Sequence, residues 1–449
     1  MPDGAVETGP RTMDEQATLP DLSNAEFILL GFPDVNGSIR GKALRPDAFK
    51  TAIHHGSATT DLLLALDPVD TPIDDYDRFG IRSGAADILL YPDTTTLRQI
   101  PWRPGWWICL GTPYWRDGSV CELASREVLR HTVVEMAALG YDTLAAVEYE
   151  VRLRDAEGRY LSSGISYSLA EIGRLDSFLA ELRRALEGMG VELNAVHTEA
   201  GPGLVELNLG ARPALRAADD AAYTKFAMKE LAAARGLTAS FLAKPAVGEE
   251  GSSGHIHLSL WSEGQNAFAG ETTGGPLAPV AVNAVAGVLK HLPAASLLLN
   301  PTINSYKRLV PGWFAPVNVS WGLENRSSAV RAIRSEDRPE LSRIECRRPG
   351  ADANPYLALA AITASASLGI RNHAKPPASV AGDAYSREDL QPLPSSLSEA
   401  LAAFESDEAF RNELGERFSA YYATSRRWEL KAWQQTVTDW ERERYERAV

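Results

Sequence analysis

Three cysteines are all that the 449 residues hold: Cys109, Cys121 and Cys346. They are scattered and odd in number, so neither a disulfide framework nor a zinc-ligand spacing follows, and a reducing cytoplasm is expected. No uninterrupted apolar run approaches ~18 residues, so no membrane span is expected. Positive charge is scarce. Lys and Arg number 45 against 59 Asp and Glu, and the net charge of −14 argues against a nucleic-acid partner. Residues 1–22 carry Gly, Pro, Thr and acids without the basic and apolar regions of a signal peptide, and are expected to form a flexible tail. Internal repeats and long low-complexity segments are also lacking. The rest is ordinary for a folded protein, at 45% hydrophobic and 23% charged. A chain of 449 residues is too long for one compact core, so two domains are expected.

Four strand-like stretches put polar, ligand-type side chains on one face and apolar ones on the other. They are Val147-Glu148-Tyr149-Glu150-Val151, Leu204-Val205-Glu206-Leu207, His255-Ile256-His257-Leu258 and Arg343-Ile344-Glu345-Cys346-Arg347. Strand side chains alternate faces, so Glu148 and Glu150 point the same way, roughly 7 Å apart. His255 and His257 do likewise, as do Arg343, Glu345 and Arg347. Gathering carboxylates, imidazoles and guanidiniums on one face is costly unless a bound ion balances them. The arrangement predicts a sheet lining a polar funnel that holds metal and phosphate.

Further strands are expected at Phe27–Phe32 and Ala86–Tyr91, with Asp34-Val35-Asn36-Gly37 a turn and Trp102, Trp106 and Trp107 core or interface aromatics. Helices are expected at Ser125–Leu139 (capped by Ser125), Asp176–Met189, Asp219–Arg235, Pro276–Leu292, Asn354–Ala374, Ser395–Ala423 and Arg427–Ala448.

Glu148, Glu150, Glu199, Glu206 and Glu345, with a histidine, form a hard, oxygen-rich set that favours Mg²⁺ or Mn²⁺ over zinc. Six ligands exceed what one Mg²⁺ takes from protein, so two or three ions per site are expected. Arg308, Arg326, Arg331, Arg334, Arg338, Arg343, Arg347 and Arg348 crowd a short stretch, and arginine forks suit phosphate and carboxylate oxygens. The loop Gly248-Glu249-Glu250-Gly251-Ser252-Ser253-Gly254 lacks the Lys-Ser/Thr of a P-loop and reads equally as a phosphate cradle or a hairpin turn.

With Lys244-Pro245, Gly254–Ser259, Asn304–Gly312, Asn325-Arg326-Ser327, Arg343–Arg347 and Ala353–Leu357 in this order, the chain resembles the type I glutamine synthetase family from about Asn24 onward. The resemblance implies an α+β protein of the glutamine synthetase/guanido kinase-like fold. An N-terminal β-grasp domain (23–115) precedes a catalytic domain (116–449), whose antiparallel sheet forms a half-funnel surrounded by helices. It also implies a homo-oligomer, a dodecamer of two stacked rings with sites shared between subunits. By motif, Glu150, Glu199 and Glu206 match the ligands of one metal, and Glu148, His255 and Glu345 those of the metal facing the nucleotide. Asn194, His257, Ser259, Arg331 and Arg343 fall at nucleotide-contacting positions. Gly251, Arg308, Arg326 and Arg347 fall where glutamate or the transferred phosphoryl group is held, the three arginines in catalytic roles. In this family ATP phosphorylates the γ-carboxylate of L-glutamate, and a nitrogen nucleophile then displaces phosphate.

The departures bear on the nucleophile. Ammonium-using members carry an acidic residue in the flap motif Pro-Gly-x-Glu-Ala-Pro. Here the flap is Pro311-Gly312-Trp313-Phe314-Ala315-Pro316. The neighbouring subunit's Asp-Gly-Ser-Ser segment is matched by His55-Gly56-Ser57-Ala58, with Asp61 as the nearest substitute. Phenylalanine cannot take a proton but offers apolar surface. An amine pocket of Phe314, Trp313, His55 and Asp61 is therefore expected to take an amine bearing carbon. Glu250 stands where asparagine is usual and Glu340 where a lysine is usual. The leading expectation is a glutamate–amine ligase acting in polyamine, ethanolamine or alkylamine use. The alternatives are a true glutamine synthetase and a catalytically inactive structural or regulatory member.

Overall fold

The structure, a computed structural model, describes residues 19–270 and 277–449. Residues 1–18 of the expected tail, and the first position of the helix expected at Pro276–Leu292, lie outside the described residues.

The first sheet comprises β1 (Phe27–Pro33), β2 (Ile39–Leu44), β3 (Ser57–Thr60), β4 (Asp87–Pro92), β5 (Arg98–Gln99) and β6 (Trp106–Tyr114). Their order is β2-β1-β6-β4-β3, with β5 added to β6. Only β1 and β6 run parallel. Helix Pro46–His55 covers this sheet with Phe49, Ala52 and Ile53, completing a β-grasp unit. The turn after β1 forms because Asp34 Oδ1 accepts both the Asn36 and Ser38 N–H groups.

The second sheet comprises β7 (Asp142–Arg154), β8 (Leu193–Thr198), β9 (Leu204–Leu209), β10 (Arg212–Pro213), β11 (Thr238–Ser240), β12 (Ile256–Ser262), β13 (Gln265–Asn266), β14 (Trp321–Leu323), β15 (Val330–Ile333) and β16 (Arg343–Cys346). Its path is β14-β15-β16-β12-β7-β9-β8, antiparallel apart from β14–β15. The apolar faces of its strands are sealed. Val147, Tyr149, Val151, Val205, Leu207, Ile256, Leu258 and Ile344 are each at most 2% exposed. Helices Ser125–Ala138 and Ala214–Ala234 cover them. Behind these, helices Pro279–Leu299 and Pro355–Arg371 cross so closely that a Cβ on Gly287 would lie 2.1 Å from Ser365 O, and one on Gly369 2.2 Å from Asn283 O. Their small-residue composition allows that approach.

Helix Pro279–Leu299 is long and apolar enough, by composition, to cross a membrane, yet 78% of its apolar window is buried inside the fold. It also runs through Pro293 instead of stopping at Leu292, because tertiary burial outweighs the local break. Four other expectations fail at element ends. The N-cap of Ser125–Ala138 is Ala124, and the Ser125 hydroxyl donates to Asp34 O at 2.8 Å, tying the two sheets together. Asp219 lies inside its helix, paired with Arg126. The helix expected over Ser395–Ala423 is three helices, Leu397–Ser406, Glu408–Leu414 and Glu416–Gln434. The breaks fall at Asp407, which caps Phe410 N, and at Gly415, whose φ is +97°. The last of these helices absorbs the start of the one expected at Arg427–Ala448, leaving Asp439–Tyr445.

The two sheets are joined by buried polar contacts. Arg126 grips both oxygens of Asp219 at 2.9 Å and reaches Asp93 at 2.9 Å. Tyr356 Oη also donates to Asp219 at 2.9 Å, and Asn354 Nδ2 to Asp34 O at 2.9 Å.

Candidate active site

Strand register brings the polar faces together. On β12 and β7, Ile256 opposes Val147, so His255 approaches Glu148 from the strand's entrance, where Glu148 N donates to His255 O. His257 opposes Glu345 across β12–β16, and Glu345 opposes Arg331 across β16–β15. On the other side of β7, Glu150 opposes Glu206, and Glu206 opposes His197 on β8. One sheet face thus carries a band of ionisable side chains from Arg331 to His197.

Within the band, His257 Nε2 lies 2.9 Å from Glu148 Oε1, while His255 Nδ1 lies 3.5 Å from Glu148 and 3.6 Å from Glu345. His197 Nε2 lies 2.9 Å from Glu199 and 3.6 Å from Glu206. Among the described residues, three clusters have donor atoms close enough to share an ion: Glu148–His257–Glu345, Glu148–Glu206–His255 and His197–Glu199–Glu206. Five of the six sequence-predicted metal residues fall in these clusters. Glu150 falls outside them, and its Oε2 accepts the Ser253 N–H at 2.6 Å.

The charges are not balanced across the band. Burial, then the charges of Glu148 and Glu150, pushes the Glu206 carboxyl up to about 8. Burial would raise Glu148 too, but hydrogen bonds from His255 and His257 hold it far below the usual range. Burial likewise works against Glu345, yet Arg347, His257 and His255 hold it at about 2. Burial disfavours the His197 cation, but Glu199 and Glu206 outweigh it and raise its pKa. His255 Nε2 is buried without a partner. Crowded carboxylates short of a counter-charge, beside an orphaned imidazole nitrogen, fit a hard divalent cation.

The arginines split by burial. Arg308 and Arg347 are buried, whereas Arg326 is exposed in the loop that Asn325 shapes by accepting from Ser327 N and Oγ. Arg331 bonds Glu345 at 3.0 Å and also Glu324, and Arg343 Nε donates to His257 Nδ1 at 3.1 Å. Gly251 has no room for a side chain, since a Cβ would sit 2.2 Å from Arg308 Cγ. Ser259 accepts from Trp261 Nε1 at 3.0 Å. Asn194 is exposed at the irregularity in the β8–β9 register. Glu340 is exposed and pairs with Arg338 at 3.0 Å.

The four amine-pocket candidates do not share one environment. In the flap, Phe314 is 62% exposed at φ +53°, and the Trp313 ring lies 4.3 Å from Lys244 Nζ. His55 is exposed at the end of its helix, against His54. Asp61 is buried, and its oxygens accept the Gly80 N–H and the Ser83 hydroxyl, each at 3.1 Å. These bonds make Asp61 a clasp within the β-grasp unit, and among the described residues the structure does not bring it together with Phe314 and Trp313.

Two site residues escaped the sequence reading. His197 was signalled by its period-two spacing with Glu199. Tyr167, in the left-handed region at φ +55°, stacks on His197 at 4.2 Å and sits in a loop with no sequence pattern to mark it.

The sheet thus bears a Glu/His cluster beside buried arginines, donors suited to a divalent cation and to an anionic ligand. Residues 122–445 match the family described as glutamine synthetase, catalytic domain, and the chain belongs to that family. It is 36% identical over 438 residues to a glutamate–isopropylamine ligase of Pseudomonas sp, covering 94% of this chain and 95% of that one. It is 34% identical to the gamma-glutamylethanolamide synthetase GlnA4 of Streptomyces coelicolor, covering 97% and 96%. Identity to a glutamine synthetase of Thermotoga maritima is similar, at 32% with 98% and 99% covered. Among solved structures, one described as apo GmaS without ligand superposes with a TM-score of 0.83 at 30% identity, covering 94% and 97%.

Proposed function

We propose that this protein joins the γ-carboxylate of L-glutamate to a small organic amine at the expense of ATP. A carboxylate oxygen takes the γ-phosphoryl group and ADP leaves. The amine nitrogen then attacks the acyl carbon, the C–O electron pair departs with phosphate, and a proton leaves the nitrogen. Glu148, Glu150, Glu199, Glu206, His255 and Glu345 would hold Mg²⁺ or Mn²⁺, two or three ions per site, which supply charge neutralisation and orientation for the phosphates. Arg308, Arg326 and Arg347 would offset charge on the transferring phosphoryl group. Arg331, Arg343, His257, Ser259 and Asn194 would face the nucleotide, and Gly251 the glutamate.

The observation that carries the organic amine is the flap. Phe314 puts exposed aromatic surface where ammonium-using members have a carboxylate, and the partly exposed Trp313 adjoins it. The names of two relatives, an isopropylamine ligase and an ethanolamide synthetase, support this reading. Similar identity to plain glutamine synthetases keeps ammonium as the second reading. Phosphate release with ATP, glutamate and Mg²⁺ decides between them, across ammonium, methylamine, ethanolamine, putrescine, spermine, isopropylamine and aniline. Ammonium as the best nucleophile would sink the amine reading. We further propose a division near residue 115, a dodecamer with sites completed by neighbouring β-grasp units, and a cytoplasmic setting where ATP and glutamate are at hand.

A further inference from the structure

The flap and the glycine-rich loop meet at Lys244. The flap, residues 311–316, follows helix Ile303–Arg308, and Asn304 of that helix clamps the Lys244 backbone. Lys244 N donates to Asn304 Oδ1 at 2.8 Å, and Asn304 Nδ2 donates to Lys244 O at 2.9 Å. Lys244 is only 9% exposed. Its ammonium donates to Glu249 O and lies 4.3 Å from the centre of the Trp313 ring. Glu249 is itself fixed, because its Oε2 accepts from the Tyr160 hydroxyl at 2.6 Å and lies 3.6 Å from Arg152 Nη1. Lys244 thus bridges the loop that carries Gly251 and the flap that carries Phe314.

The Trp313 ring depends on this contact. It is 39% exposed, and among the described residues its side chain makes no hydrogen bond and no second ring contact. On the far side of Phe314, Arg348 Nη1 donates to Pro316 O at 2.7 Å. Phe314 therefore stands between two tethered stretches of the flap. Burial disfavours the Lys244 charge, and Glu250 and Glu249 attract it without forming an ion pair. An ammonium so placed gains where the negative face of an indole replaces lost water. The bond to Glu249 O holds the loop. The ring contact acts on the flap alone.

We infer that Lys244 is a positioning residue for the amine. Its ammonium, anchored on the glycine-rich loop, holds the Trp313 ring, and with it the adjoining Phe314, as the wall against which the carbon of the amine packs. The inference deepens the amine-ligase reading and rests on it for the identity of the nucleophile.

The test uses the full chain as Lys244→Met and Lys244→Arg. A cation on an indole face is worth about threefold to thirtyfold in affinity. In Lys244→Met, KM for the best organic amine should rise by that factor with kcat kept, and calorimetry should find the affinity for L-glutamate within twofold of wild type. Lys244→Arg, which keeps a cation over the ring, should restore KM. A KM within twofold of wild type in Lys244→Met overturns the proposal. So does a loss of glutamate affinity as large as the rise in KM, because it makes Lys244 a support of the loop alone. If Lys244→Met does not assemble, tryptophan analogues with one to three ring fluorines at position 313 of the otherwise unaltered protein answer instead. Fluorine drains the negative face of the ring, so KM should climb with each one, and a KM that ignores the fluorine count overturns the proposal. A wild type that turns over no organic amine sinks the amine reading. ¹⁹F relaxation of 5-fluorotryptophan at position 313 then decides on Lys244 by itself. The ring should be fixed in wild type and Lys244→Arg and mobile in Lys244→Met, and equal mobility in all three overturns the proposal.

Discussion

Replacing Glu206 by glutamine should stabilise the metal-free protein in alkaline solution and leave it unchanged in acid. Glu206 faces Glu150 across β7–β9 and is only 8% exposed, so solvent screens it little. Its carboxyl rises from an ordinary 4.5 to about 8, chiefly through burial and then through Glu148 and Glu150. Between those values the folded chain keeps a proton that the unfolded chain releases. Folding stability in EDTA must therefore fall as the pH climbs through this window. At ~1.4 kcal/mol per pH unit, the whole rise is worth at most about 5 kcal/mol. Glutamine keeps the shape and cannot ionise, so its stability should lack this slope. Urea titrations in EDTA at pH 5, 6, 7 and 8 measure the effect. The variant should gain on wild type by several kcal/mol toward pH 8, and Mg²⁺ should rescue wild type far more than the variant. Curves that stay parallel within about 0.5 kcal/mol from pH 5 to 8 would refute the reasoning.

Glu345→Ala or His255→Ala should abolish phosphate release, and Glu150→Ala should also weaken glutamate binding; near-normal turnover in all three would undo the metal assignment. Phe314→Glu should move the ratio of kcat/KM for the best amine over ammonium toward ammonium, and an unchanged ratio would remove the flap from specificity. Arg126→Met should cost about 3–5 kcal/mol in urea, because it leaves the buried carboxylate of Asp219 without its charge partner. Light scattering should show a large oligomer, on the family pattern a dodecamer, and residues 117–449 alone should be inactive; a fully active monomer would end the shared-site model.

The strands of the site were legible because each obeys a period of two over a sealed apolar face. Glu148 and Glu150, or Glu345 between two arginines, cannot be explained by a helix. What alternation could not supply was which strand lies beside which. Pairing of β7 with both β12 and β9 makes the Glu148–His257 and Glu150–Glu206 neighbours, and no local spacing encodes it. Element ends were misread where a side chain serves a distant partner. Ser125 resembles a helix cap, but its hydroxyl is taken by Asp34 O. Asp407 lies within a helical pattern, but it caps Phe410 and binds His291 at 2.7 Å. Asp61 resembles a free acid until Gly80 and Ser83 are seen to occupy it.

The backbone at Phe314 has a consequence for how the nucleophile preference can drift. A φ of +53° is tolerated by glycine and asparagine, strains most other residues, and is least accessible to β-branched ones. A saturation library at this position should therefore be filtered twice, first by the turn and only then by chemistry. Valine, isoleucine and threonine should drop out whatever amine is offered, although each would make a fair apolar wall. Asparagine and glycine should persist even where they contribute nothing to selectivity. On the proposed role of the flap, a torsion angle narrows the residues open to position 314 before any substrate is met.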